Sequence, residues 1–366
     1  MNKCRIAIID DGAIGNVIQP EKNLVVNEQL EIYEDNDIAE EAGHAFVCLS
    51  IIKKYSKCDD FSWLNIKVID TITGRSSSDQ LIKALEYCLN NDVSVIHMSI
   101  GSEEFCDFEK IDRIVKKLLD KGVIMVASQS NEGKMTYPAC IEGVIGVKYA
   151  DGIKDDKFIF VDQAIDNIDF ITSPSHILKN GNGFFISRQA NSYATPVMTA
   201  HVINELMYVP NISAAEVFEK LKAKAVDKIS GDVLLNNQLY SDNTIQIPVV
   251  GVFDSNVEKA EKIAHELSVM FNNDGYGAVY SIPHGNGMNR YHKKQQKKYY
   301  SFLELYSSCN IIIAGSDKDI SDEIYCNYDI IVTDDELKFK DLSEKIIPLQ
   351  DRTSTELYKL ILKEFE

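Results

Sequence analysis

The sequence predicts an α/β protein of two domains, each a mainly parallel sheet covered by helices. Three observations carry that expectation. Apolar runs of strand length alternate with longer runs of helical spacing, the pattern of strand–helix–strand units with helices on both faces of the sheet. The alternation is broken once, by a polar, weakly periodic stretch at 227–243, and then resumes. A chain of 366 residues also exceeds one ordinary core. The expected domains are therefore 1–230 and 244–366.

The elements follow in order. Residues 4–10 (CRIAIID) form a short apolar strand. In 38–55, Ala42, Phe46, Leu49 and Ile52 recur at helical spacing. Residues 64–72 are a strand, and 77–91 a helix with Leu81, Leu85 and Leu89 on one face and Ser or Asp at its start. A strand at 93–101 leads to a helix at 108–122, which Gly122 ends. The run 123–129 reads as a buried strand, with further strands at 144–150, 157–162 and 183–188. A helix follows at 192–208, with Pro196 in its first turns. Beyond the break, strands at 245–254, 277–283, 310–316 and 328–334 alternate with helices at 256–271, 299–308 and 353–366, predicting a smaller Rossmann-like α/β domain.

Composition narrows the function. The net charge of −18 disfavours a sequence-independent grip on nucleic acid, which needs a basic surface. No apolar run approaches the ~20 residues of a membrane span, and the N-terminus lacks the pattern of a signal peptide. The eight cysteines are scattered with no CxxC pair, so a zinc or redox motif is not expected. Several lie in apolar segments, where a free thiol behaves as a small buried hydrophobe. Together these features predict a cytoplasmic protein with reduced thiols.

Four segments carry chemistry: IIDDG at 8–12, GHAFVCLSII at 43–52, ASQSNEG at 127–133 and NSYATP at 191–196. They supply an acid, a base, an amide donor and a hydroxyl. Asp10 ends a buried strand, where an acid is costly without a partner. The ends of parallel strands are also where such sheets place their sites. His44 stands at the start of an apolar helix. Asn131 lies in a loop after a strand, where its amide could donate to an oxyanion. Ser192 opens a helix, whose N-terminus favours developing negative charge. Singly, each has an ordinary structural reading as a turn residue, a helix cap or a packed histidine. Their order and flanks together point further.

These segments resemble the motifs of the subtilisin-like (subtilase) serine peptidases over about residues 1–225. IAIIDDG resembles the aspartate motif and HAFVCLSII the histidine motif. VSVIHMSIGS resembles the strand that lines the substrate cleft. VIMVASQSNEG, with YPA after it, resembles the oxyanion motif, and ANSYATPVMTAHV the nucleophile motif. The order aspartate, histidine, serine is that of subtilisin. The resemblance implies a triad in which Ser192 attacks, His44 carries the proton and Asp10 orients the imidazole. It implies Asn131 as oxyanion donor, and Ser99, Ile100 and Gly101 as a cleft wall that pairs with an extended substrate. Asp11, Ala45-Phe46, His97, Ser130 and Ala190-Asn191 depart from the family pattern. Two adjacent carboxylates would repel unless Asp11 points to solvent, Phe46 could crowd the cleft, and His97 reads as a packing change.

The expected function is a cytosolic serine endopeptidase acting on a specific peptide or protein, with removal of a leader from a ribosomally made peptide as the concrete case. No propeptide precedes Asp10 here, which fits a narrow specificity. The alternative is a weak or inactive member of the fold that binds peptides or partners. Catalysis of this kind needs no cofactor. Family members often bind calcium, but no acidic cluster here defines a calcium site. The smaller domain lacks GxxxxGKS/T and GxGxxG, so phosphate binding is not expected. Its basic, aromatic stretch at 289–300 could dock an acidic segment, although charge runs are more often solvated.

Overall fold

The computed structural model describes residues 4–14, 19–35, 43–57, 61–70, 73–164, 166–180, 183–209, 212–230, 245–281, 300, 303–304, 307, 309–317, 328–339, 343 and 345–365. The chain divides into two compact units, 1–102 with 107–231, and 103–106 with 232–366.

The first unit opens with strand β1 (Arg5–Asp10), β2 (Lys22–Val26), β3 (Ile32–Glu34), helix α1 (His44–Tyr55), β4 (Ser62–Lys67), α2 (Ser78–Leu89) and β5 (Val95–Met98). It continues with α3 (Phe108–Asp120), β6 (Ile124–Ser128), β7 (Ile145–Tyr149), β8 (Phe158–Asp162), β9 (Phe170–Thr172), the hairpin β10 (Ile177–Asn180) and β11 (Gly183–Ile186), α4 (Asn191–Tyr208), α5 (Ala214–Lys224) and β12 (Asp227–Ser230). Ten strands form one sheet, ordered β12-β8-β9-β7-β6-β5-β1-β4-β2-β3. All its pairs are parallel except β2–β3 and β8–β9. The stretch at 227–243 is not polar connection throughout: Asp227–Ser230 adds β12 to the sheet edge by parallel pairing with β8.

The core explains why these strands read as continuous apolar runs. Ile6 and Ile8 enter one cluster with Val95, Val126 and residues of α1, α4 and α5. Their neighbours Ala7 and Ile9 are also fully buried. Successive side chains on a strand point to opposite faces, so both faces of the sheet are covered. The chain leaves β1 toward β4 on one side and returns to β5 on the other. That reversal puts the carboxyl ends of β1 and β5 at a switch point, where open sheets form crevices. The hairpin β10–β11 pairs antiparallel, Ile177 opposite Ile186. Its Leu178 is buried against Ile51 and Val197, while Phe184 and Ile186 are exposed.

In the second unit, β13 (Val249–Asp254), α6 (Val257–Asn273), β14 (Ala278–Ser281), β15 (Ile311–Asp317), β16 (Ile330–Thr333), α7 (Glu336–Phe339), β17 (Ile346–Ile347) and α8 (Ser354–Phe365) build a parallel sheet ordered β14-β15-β13-β16-β17. In chain order that is 2-3-1-4-5, with the second and third strands exchanged relative to the common 3-2-1 half of a Rossmann sheet. Its core packs Val250, Val252 and Ile313 against Ala264, Leu267 and Leu357. The basic stretch at 289–300 lies outside the described residues, save Tyr300, which is buried. No helix among the described residues is long and apolar enough to cross a membrane.

Candidate active site

The site is assembled from loops at the carboxyl ends of β1, β5 and β6 and from the first turns of α1 and α4. Asp10, the last residue of β1, is completely buried. Both of its carboxylate oxygens accept from His44 Nδ1, at 2.9 and 2.8 Å. Because the carboxylate only accepts, Nδ1 carries the proton and Nε2 faces the Ser192 hydroxyl as an acceptor, 2.9 Å away. Burial opposes the imidazolium, but the Asp10 carboxylate favours it, and the balance raises the His44 pKa above the ordinary value. Cys48 lies one turn behind His44, with its sulfur 3.6 Å from Nδ1. Desolvation pushes its thiol up, so at neutral pH the thiol is uncharged. The Tyr193 ring stacks on His44, centroids 4.9 Å apart.

His44 owes its place to the residue after Asp10. Asp11 does not point to solvent. Its Oδ2 accepts from the His44 backbone N–H at 2.7 Å, and its Oδ1 from those of Ala45 and Ala13 at 3.0 Å. The first helical N–H groups have no partner inside the helix, and the positive end of the helix favours a carboxylate. The two adjacent acids thus diverge: Asp10 holds the imidazole, and Asp11 holds the helix that carries it. Gly43 is required beside this clamp, since a Cβ there would lie 2.5 Å from Asp11 Oδ2 and 2.4 Å from the Ala13 Cβ. Phe46 is buried and stacks toward Phe185 of the hairpin, so its bulk is taken up by packing.

Ser192 stands in the first turn of α4. Pro196, four residues on, has no N–H to offer the Ser192 carbonyl. The Ser99 hydroxyl supplies the missing donor at 2.8 Å. Ser99 Oγ in turn lies 3.0 Å from His97 Nε2, and His97 Nδ1 lies 2.8 Å from Thr199 Oγ1. Since the Ser99 proton goes to the carbonyl, His97 donates from Nε2 and accepts at Nδ1. His97 is completely buried, and burial lowers its pKa to about 4, which keeps it neutral. It is therefore neither a ligand nor simple packing but the middle of a relay from Thr199 to the Ser192 backbone. The next carbonyl, of Tyr193, accepts from His176 Nε2 at 3.0 Å, and the Tyr55 hydroxyl meets His176 Nδ1 at 3.0 Å. Sequence reasoning did not single out His176 or the role of His97. The signal available was Pro196 inside a helix, which leaves a carbonyl in need of a donor.

Asn131 is exposed after β6, and its Oδ1 accepts the backbone N–H of Asn191 at 2.8 Å. Ser99 and Ile100 are half-buried after β5 and Gly101 is exposed. A Cβ on Gly101 would lie 2.6 Å from the Tyr137 carbonyl oxygen, so the strand end passes too close to 136–137 for a side chain. Ser102 pairs with Tyr137 in both directions, at 2.9 and 2.8 Å. Asp107 accepts from Ser78 and Ser102 hydroxyls, which gives that acid a structural use. Among the described residues, the one group of three His, Cys, Asp or Glu side chains close enough to share an ion is Asp10, His44 and Cys48. Its nitrogen and sulfur atoms do not suit calcium, which takes oxygen ligands.

A buried acid, an imidazole and a hydroxyl stand in one hydrogen-bonded line, an arrangement able to pass a proton from the hydroxyl to the ring. The subtilase family model matches residues 2–241, and this chain belongs to the subtilase family. The intracellular serine protease of Paenibacillus polymyxa is 26% identical over 165 residues, 43% of this chain and 48% of that protein. The major intracellular serine protease of Bacillus subtilis (strain 168) is 29% identical over 93 residues, 24% of this chain and 28% of that protein. The chain therefore spans less than half the length of these curated relatives. Among solved structures, the S41 psychrophilic protease aligns with a TM-score of 0.49 at 17% identity, covering 62% of this chain and 85% of its own. A lanthipeptide protease aligns with a TM-score of 0.47 at 16% identity, covering 61% and 80%.

Proposed function

We propose that this chain is a serine endopeptidase whose nucleophile is Ser192. One observation carries the reading: the continuous line Asp10–His44–Ser192, with contacts of 2.8 and 2.9 Å. In this reading Ser192 Oγ attacks the scissile carbonyl as its proton passes to His44 Nε2. The buried Asp10 carboxylate offsets the new imidazolium charge. Asn131 Nδ2 and the Ser192 backbone N–H receive the charge that develops on the carbonyl oxygen. His44 then returns the proton to the leaving amine, and water releases the acyl group by the same steps in reverse. Ser99, Ile100 and Gly101 offer main chain to an extended substrate.

The finer reading is a particular peptide or protein substrate in the cytoplasm, with maturation of a ribosomally made peptide as the case proposed. The six described cysteines are free thiols, and the curated relatives are named intracellular, which supports that compartment. The second unit runs beyond the family match and is proposed to engage a leader segment. A precursor with its leader should then be cut at least about tenfold faster than the leaderless peptide, a difference of about 1.4 kcal/mol.

The primary test is a fluorophosphonate probe read by intact mass. One adduct on the wild type and none on Ser192→Ala is expected. No adduct on the wild type would refute the reading and favour a cleft that binds peptides without cutting them.

A further inference from the structure

The departure from the family pattern just before Ser192 places a side chain where it can organise the oxyanion site. We propose that Asn191 is a positioning residue that sets the direction of the Asn131 amide. This rests on the reading of Ser192 as nucleophile and Asn131 as donor.

The two ends of a carboxamide are nearly alike in shape and opposite in function. Asn131 serves an oxyanion only if Nδ2 faces the reacting carbonyl, and nothing in its own rotamer enforces that. The Asn191 backbone N–H does so, donating to Asn131 Oδ1 at 2.8 Å. Only the oxygen end can accept there, so the nitrogen end is turned away from it. That N–H must itself be held, and the Asn191 side chain holds it. Its Nδ2 donates to the Ser130 carbonyl at 2.7 Å, one residue before Asn131. Its Oδ1 accepts the Tyr149 N–H at 2.8 Å, at the end of β7. Its backbone carbonyl accepts the Thr195 hydroxyl at 2.9 Å. Asn191 is 5% exposed while Asn131 is exposed, so the buried residue is fully engaged and the amide it directs is open to substrate.

The donor loop, β7 and the start of α4 are far apart in sequence and meet at this one side chain. Alanine at 191 keeps the backbone N–H but removes the side-chain bonds to Ser130 and Tyr149 that hold it in place. The Asn131 amide then samples both orientations, and the donor is present for only part of the time.

The test is a kinetic cycle on the full chain with a peptide substrate. Asn131→Ala alone should lower kcat about 10²–10³-fold. Asn191→Ala alone should lower kcat about 10-fold or more with KM within about twofold, the pattern of an interaction made in the transition state. With Asn131 already alanine, removing the Asn191 side chain should change kcat by less than about threefold, because its effect runs through the absent amide. Asn191→Thr, which offers one hydroxyl in place of the carboxamide, should fall between wild type and Asn191→Ala, and thermal unfolding checks that each variant is folded. Losses that multiply in the double variant, or a loss confined to KM, would overturn the proposal. A wild type that takes no fluorophosphonate adduct would instead overturn the peptidase reading, and this proposal with it.

Discussion

Replacing Ser99 with alanine tests how the start of α4 is held. The Ser192 carbonyl has no helical donor, because position 196 is proline. The Ser99 hydroxyl makes the good bond at 2.8 Å, and the Cys48 thiol offers a weak one at 3.6 Å. Removing the partner of a buried acceptor costs about 1–3 kcal/mol. The thiol softens the loss while His97 Nε2 loses its acceptor, so about 2 kcal/mol is expected. Urea unfolding should show a lower midpoint at unchanged slope. The informative partner is Pro196→Ala, which returns an N–H to the position four residues after Ser192. In that background Ser99→Ala should cost about 1 kcal/mol less, because only the loss at His97 Nε2 remains. Equal costs in the two backgrounds would refute the claim that Ser99 replaces the donor that proline removes.

Three other outcomes follow from the geometry. Gly43→Ala should destabilise by about 2 kcal/mol or more and slow turnover, since its Cβ would collide with Asp11 and Ala13 and dislodge the clamp on α1; denaturation and kcat measured on one preparation check it. His44 must be neutral to accept the proton and its pKa is raised, so kcat/KM should rise with pH through a limb above the ordinary histidine value of about 6.5. A limb at or below that value would show that burial outweighs the Asp10 carboxylate. Finally, His97 and His176 are buried and neutral, each with its pKa lowered to about 4. The unfolded chain takes up their protons first, so stability falls as pH drops from about 6.5 toward 4, by about 1.4 kcal/mol per unit for each histidine. His97→Gln should flatten this fall between pH 7 and 5.5, and an unchanged slope would show that His97 does not titrate as described.

The smaller unit shows where a local pattern stops. Its strands and helices are legible as apolar runs alternating with amphipathic ones, because burial on both faces of a parallel sheet demands such runs. The exchange of its second and third strands is not legible, because strand order depends on which edges meet, and no short segment encodes that. The same holds at 227–230, where a polar tetrapeptide reads as connection and pairs with β8. An edge strand is half solvated and needs little apolar surface.

The sequence by itself determined the chemistry available. An acid at the end of an apolar strand, a histidine and a serine each opening an apolar helix, and an asparagine after a strand are local facts, each with an ordinary meaning until their order joins them. Only the tertiary structure decided how those groups are held. It turned Asp11 away from Asp10 and onto the N-terminus of α1, made His97 a neutral link to a carbonyl that Pro196 had stranded, and gave Asn191 four partners from three segments. The physical reason is that a hydrogen bond between residues distant in the chain leaves no periodicity in the sequence. Its donor and acceptor are ordinary polar residues until the sheet brings the loops to one edge.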